Sequence, residues 1–119
     1  MESKEQVNKE ELERFLRNIP HPVLLGVFGE NCAPCEELEA EIANKKLPGE
    51  ISFAKVILGN EQRDIEIADM LGMETIPTVV AFCQGEELGR TGDPKELDSL
   101  IDSLSHCRVE SSEGVLEGQ

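Results

Sequence analysis

Two cysteines separated by two residues, Cys32-Ala33-Pro34-Cys35, stand between an apolar run and an amphipathic stretch. The run before them is Val23-Leu24-Leu25-Gly26-Val27-Phe28. The stretch after them, residues 36–46, places Leu38 and Ile42 at helical spacing among glutamates. This order predicts a buried strand, a short loop and a helix whose first turn carries both thiols. A sulfur there lies at the positive end of the helix dipole, beside backbone N–H groups without helical partners. Both favour the thiolate, the form that attacks a disulfide. Placement therefore argues for thiol–disulfide chemistry more strongly than the four letters do.

The rest of the chain extends the pattern. Leu12, Phe15, Leu16 and Ile19 recur at helical spacing, Asn8 with Glu11 forms a capping box, and Pro20 and Pro22 end that helix. A second strand is predicted over 51–58 and a third helix over 60–71, stopped by Gly72. Strands over 78–83 and 88–91 flank the turn Gln84-Gly85-Glu86. Asp93-Pro94-Lys95-Glu96 reads as a helix start, with a cap, proline at the first position and Glu96 completing the box. Leu97, Leu100, Ile101 and Leu104 supply the buried face that follows. Alternating strand and helix, then a hairpin, implies parallel pairing first and antiparallel pairing last. The reading is a single α/β domain over 1–107, a central mixed sheet of about four to five strands with helices on both faces, and a polar tail over 108–119.

Composition narrows the function classes. The 119 residues carry 25 acids against 11 bases, a net charge of −14. Phosphate contacts need clustered Lys and Arg, so nucleic acid is not an expected partner. The acids solvate the surface, suit a salt-rich cytoplasm, or favour basic protein partners. No run approaches the roughly 20 apolar residues that span a bilayer, so no membrane association is expected. The opening residues Met1-Glu2-Ser3-Lys4-Glu5-Gln6 are too acidic and polar for a signal peptide. The expectation is a cytoplasmic monomer whose cysteines form no structural disulfide framework. Val79, Ala81 and Cys83 alternate along one strand face, which makes Cys83 a small core hydrophobe. Cys107, beside His106, reads as an incidental thiol that could link two chains on oxidation.

In this order of elements, Cys32-Ala33-Pro34-Cys35 after a strand, Thr75-Ile76-Pro77-Thr78 before a strand, the Gln84-Gly85-Glu86 turn and Gly92 before the last helix resemble the thioredoxin family across residues 8–106. The resemblance implies the thioredoxin fold and a cis peptide before Pro77, where a trans proline opening a strand is the plain alternative. It implies that the backbone of Ile76 pairs with a bound peptide, with Pro77 and Gly92 completing the substrate surface. It further implies a protein-disulfide reductase that needs no bound cofactor, because the Cys32–Cys35 dithiol holds the electrons. Its partners would be disulfide-containing proteins and a separate thioredoxin-reductase-type donor.

Cys32, closest to the helix start, is the expected nucleophile, and Cys35, one turn on, the resolving cysteine. Pro34 favours first-turn geometry and donates no N–H. Lys55 matches the family lysine beside a buried Asp, so a tuning role is expected for it; a solvated strand residue is the alternative. Three positions depart from the family pattern: Gly26 in place of that Asp, Asn31 in place of a Trp, and Ala33 in place of a Gly. They mark a divergent member with altered redox properties or narrower partners. Gly26 would leave a packing gap, and Lys55 would lack its carboxylate. Residues 30–41 hold five acids and no base; screened over a Debye length of ~8–10 Å, that rim is expected to select partners more than to alter the chemistry. The competing readings are an oxidant or isomerase, a soft-metal-binding module using Cys32 and Cys35, and an adaptor with unused thiols. A closed zinc site takes about four ligands, and His21, Cys83, His106 and Cys107 repeat no paired spacing.

Overall fold

The computed structural model describes residues 7–107; the tail assigned to 108–119 lies outside them. In chain order the elements are α1 (Lys9–Asn18), β1 (Val23–Gly29), α2 (Ala33–Asn44), β2 (Ser52–Leu58), α3 (Gln62–Leu71), β3 (Thr78–Cys83), β4 (Glu86–Thr91), a 3₁₀ turn (Pro94–Glu96) and α4 (Leu97–Ser105). The sheet order is β2-β1-β3-β4. β1 runs parallel to β2 and antiparallel to β3, and β3 runs antiparallel to β4.

β1 is buried along nearly its whole length, because it is an inner strand covered on both faces. Alternation sends Leu25 and Val27 to one side, where Leu12 and Leu16 of α1 and Ile67 and Leu71 of α3 meet them. Leu24 and Phe28 go to the other side with Cys35, Leu38 and Ile42 of α2 and Leu97, Leu100 and Leu104 of α4. The functional motif thus belongs to the second of two cores, and Cys35 is part of it. α1 departs from the expected inward set in Phe15, which is 41% exposed.

Local signals decide where the elements stop. Asn8 and Glu11 close the capping box of α1 in both directions, at 2.8 and 3.0 Å. Gly72 ends α3 with φ 65° and ψ 41°, a conformation in which a Cβ would be strained. Gln84 (φ 53°) and Gly85 (φ 87°) form the two-residue hairpin turn between β3 and β4, both left-handed as such a turn requires. The start of α4 differs from the expected box. Asp93 accepts from the Lys95 amide, but Glu96 turns to accept from the Thr91 hydroxyl, and that hydroxyl oxygen accepts from the Asp93 amide. Thr91, buried at the end of β4, takes the second half of the box.

Candidate active site

The loop after β1 delivers the cysteines. Asn31 has φ 48°, a left-handed conformation that Asn tolerates better than most residues. The chain turns there, and Cys32 becomes the N-cap of α2 with extended backbone (φ −121°, ψ 103°). Its sulfur takes the place of a capping oxygen: the Cys35 amide donates to Cys32 Sγ at 3.2 Å. Proline in the first turn leaves one fewer orphan donor competing for it. Cys35 Sγ accepts from the Gly29 amide at 3.4 Å. The two sulfurs are joined as a disulfide, with Cα atoms 5.2 Å apart.

The environments of the two sulfurs differ. Cys32 is half-buried at the loop surface, whereas Cys35 is 4% exposed in the apolar core beside Phe28 and Leu38. The helix terminus and its amide favour a negative charge on Cys32 once the disulfide opens. The apolar wall favours a neutral Cys35 until its own step.

The second loop of the site precedes β3. The Ile76–Pro77 peptide is cis, and the Thr78 hydroxyl donates to the Thr75 carbonyl at 2.7 Å across that bond. Ile76 is 40% exposed. A Cβ built on Gly29 would lie 3.5 Å from Ile76 Cγ2 and 4.0 Å from Cys32 Cβ, so the two loops meet over Gly29. Gly92 comes close enough to touch Pro77: a Cβ there would lie 2.6 Å from the Pro77 carbonyl oxygen. Beside this loop opens a groove of about 390 Å³ lined by Glu74, Thr75, Thr78, Arg90, Thr91 and Gly92. Cys32, Cys35, Ile76, Pro77 and Gly92 are therefore assembled at one end of the sheet.

Lys55 takes the register expected of it and is a partly exposed strand residue, the alternative reading of this position. It lies opposite Gly26 in register, but its ammonium bonds Glu39 of α2 at 2.7 Å, with both side chains partly exposed. The lysine has a carboxylate partner after all, supplied from the helix instead of from β1. The gap expected at Gly26 is also absent, because the Phe28 ring folds over it. Both features are contacts made by the fold: Glu39 reaches Lys55 from α2, and the ring at Gly26 comes from two residues further along β1.

The other two cysteines require a correction. Cys83 is neither a buried hydrophobe nor Cys107 an incidental thiol: they are bonded to each other, with Cα atoms 5.8 Å apart. Cys83 ends β3 and Cys107 follows α4, so only the packing of that helix on the hairpin brings them together. The described residues therefore contain no free cysteine, against the expectation of no structural disulfide. Among the same residues no group of three or more His, Cys, Asp or Glu is arranged to hold a metal ion, and no helix is long and apolar enough to cross a membrane.

A four-stranded mixed sheet with helices on both faces, a disulfide of the Cys-x-x-Cys type capping one helix and a facing X-Pro loop define a thiol–disulfide oxidoreductase. Comparison with known proteins agrees. The family model described as Thioredoxin matches residues 3–106. A thioredoxin of Chlamydia caviae is 35% identical over 79 residues, 66% of this chain and 76% of the relative. A thioredoxin of Chlamydia trachomatis is 33% identical over 85 residues, 70% and 79% of the two chains. Among solved structures, thioredoxin f2 of Chlamydomonas reinhardtii superposes with a TM-score of 0.68 at 17% identity, covering 82% of this chain and 92% of that one; this supports the fold. The chain belongs to the thioredoxin family.

Proposed function

We propose that this protein reduces disulfides in partner proteins, with Cys32 as nucleophile and Cys35 as resolving cysteine. The observation that carries the reading is the asymmetry of the pair: one sulfur caps a helix at the surface, the other is sealed in an apolar core one turn behind. In the reduced protein the Cys32 thiolate attacks a partner sulfur, forming a mixed disulfide and releasing the partner's first thiolate. Cys35 then loses its proton and attacks Cys32 Sγ, which closes the Cys32–Cys35 disulfide and frees the partner's second thiol. Two electrons pass to the partner, and a thioredoxin-reductase-type donor restores them. No bound cofactor enters this cycle.

Ile76, Pro77 and Gly92 form the surface on which the partner peptide is read. Ile76 is exposed beside Cys32 and offers backbone to an extended segment, and Gly92 leaves room for the Pro77 carbonyl. Pro34 shapes the first turn of α2. Lys55 acts on the site only through its ion pair with Glu39. The acidic rim around the motif supports basic partner surfaces. We further propose a monomer that works in the cytoplasm against protein substrates, and the net charge of −14 argues against nucleic acid as a partner.

An insulin-reduction assay paired with a redox titration of the Cys32–Cys35 couple tests the reading. Turnover with an exogenous dithiol supports it. A titratable couple without turnover would instead favour an adaptor, and an equivalent of tightly held zinc or copper a carrier.

A further inference from the structure

The Cys83–Cys107 bond lies far from the motif that does the chemistry. Thr78, at the start of β3, adjoins the cis-proline loop, and Cys83 ends the same strand five residues on, roughly 17 Å away at strand rise. The two disulfides occupy opposite ends of the sheet, so a Cys32 thiolate cannot reach Cys83 in its own molecule. The bond spans 24 residues of sequence, a segment that contains β4, the 3₁₀ turn and α4. Its closing residue is held to the helix end, with the Cys107 amide donating to the Leu104 carbonyl at 3.0 Å.

The local electrostatics are the reverse of those at Cys32. Cys107 follows the C-terminus of α4, the negative end of the helix dipole. The last turn of α4 carries no basic residue, and Asp102 lies within it. The His106 ring is engaged with the Asp102 carbonyl at 2.9 Å. At Cys107 these surroundings favour a thiol over a thiolate, which slows exchange through that sulfur. Both cysteines are nonetheless only half-buried, so a small reagent can reach them.

We propose that Cys83 and Cys107 form a second, non-catalytic dithiol–disulfide couple, a redox-controlled clamp that fastens α4 to the far end of the sheet. Its oxidant is a low-molecular-weight disulfide. One of the two cysteines attacks the reagent as thiolate and releases one reagent thiol. The second cysteine then attacks the mixed disulfide and releases the other, so two protein thiols become one S–S bond and the reagent disulfide becomes two thiols. A small dithiol reverses the step. Closing a loop of this length restricts the unfolded chain, so the oxidised clamp stabilises the domain without entering turnover.

The test uses the full chain, in the parent and in a Cys32→Ala/Cys35→Ala form that isolates the clamp. Each is reduced, placed in glutathione/glutathione disulfide buffers, quenched by alkylation and mapped by peptide mass spectrometry. The expected result is an intrachain Cys83–Cys107 link that forms at least about tenfold more slowly than the Cys32–Cys35 bond of the parent. In the isolated form, oxidation should raise Tm by about 5–15 °C, and Cys107→Ser should abolish the rise. In the parent background Cys107→Ser should leave insulin reduction within twofold. Persistent glutathione adducts or chain-to-chain links at Cys83 or Cys107 in place of the intrachain bond would overturn the proposal. So would equal melting of the two redox forms, or closure as fast as that of Cys32–Cys35. Should the double variant fail to fold, the mapped links in the parent decide the question.

Discussion

The ring of Phe28 occupies the space that any side chain at Gly26 would need: a Cβ at Gly26 would lie 2.6 Å from Phe28 Cζ and 2.9 Å from Cε2. The two residues sit two apart on the same face of β1, the face that packs on α2 and Cys35. The ring is 1% exposed. The site behind the cysteines is therefore apolar where the family pattern has a carboxylate. It is filled, not vacant, so in the proposed cycle Cys35 would lose its proton without a buried acceptor in β1.

Substitution at Gly26 should consequently be costly. Gly26→Ala forces the ring aside and should lower stability by about 1–3 kcal/mol, as overpacking does. Gly26→Asp should cost more, since the buried carboxylate would also be unpaired: Lys55 is committed to Glu39. Urea unfolding of both variants checks this. Phe28→Leu combined with Gly26→Asp should recover part of the loss, because the two positions share one space. An alanine variant as stable as the parent would mean the ring has another place to go.

The roles proposed for the two cysteines predict different traps. Cys32→Ser should abolish insulin reduction. Cys35→Ser should hold a mixed disulfide through Cys32, visible as a mass adduct that a small dithiol releases. A stable adduct through Cys35 in the Cys32→Ser protein would reverse the assignment.

Gly92→Ala probes the contact with the cis-proline loop. A methyl group 2.6 Å from the Pro77 oxygen must displace that loop, so KM for protein disulfides should rise several-fold. The Cys32–Cys35 couple itself should titrate almost as in the parent, because the substitution touches neither sulfur. Steady-state kinetics with insulin and a glutathione redox titration separate the two effects.

Arg90 ties β4 to the end of α3. It donates to the Leu71 and Gly72 carbonyls at 2.8 and 3.1 Å and to both carboxylate oxygens of Glu87. These contacts satisfy the last carbonyls of a helix with a cation, which also suits the dipole. The hydrogen bond from Arg90 lowers the Glu87 pKa, against a smaller opposing effect of burial. A depressed carboxylate pKa means the stabilisation is complete above the unfolded value near 4.5 and is lost as pH falls through the lower folded value. Glu87→Gln should therefore cost more stability at pH 7 than at pH 3. Because about a third of each side chain is exposed, the difference should stay below about 1 kcal/mol. Thermal melts at the two pH values measure it.

Much of the fold was written in local chemistry. The capping box of Asn8 and Glu11, the stop at Gly72, the left-handed turn at Gly85 and the apolar run of β1 act over a few residues, so they can be read along the chain. The helix-start placement of Cys32 is of the same kind, since it needs only a strand, a turn and a proline in the right order. Pairings across the fold cannot be read this way. Glu39 meets Lys55 because α2 lies over β2, and Cys83 meets Cys107 because α4 folds back on the hairpin. Phe28 fills the space at Gly26 because a glycine admits a neighbour's side chain where any other residue would exclude it. Strand and helix positions, and the sulfur that caps a helix, follow from residues close together in the chain, because hydrogen bonding and hydrophobic periodicity are local. What surrounds those sulfurs is settled by the packed fold, because burial, ion pairing and disulfide formation depend on distances between residues far apart in the chain.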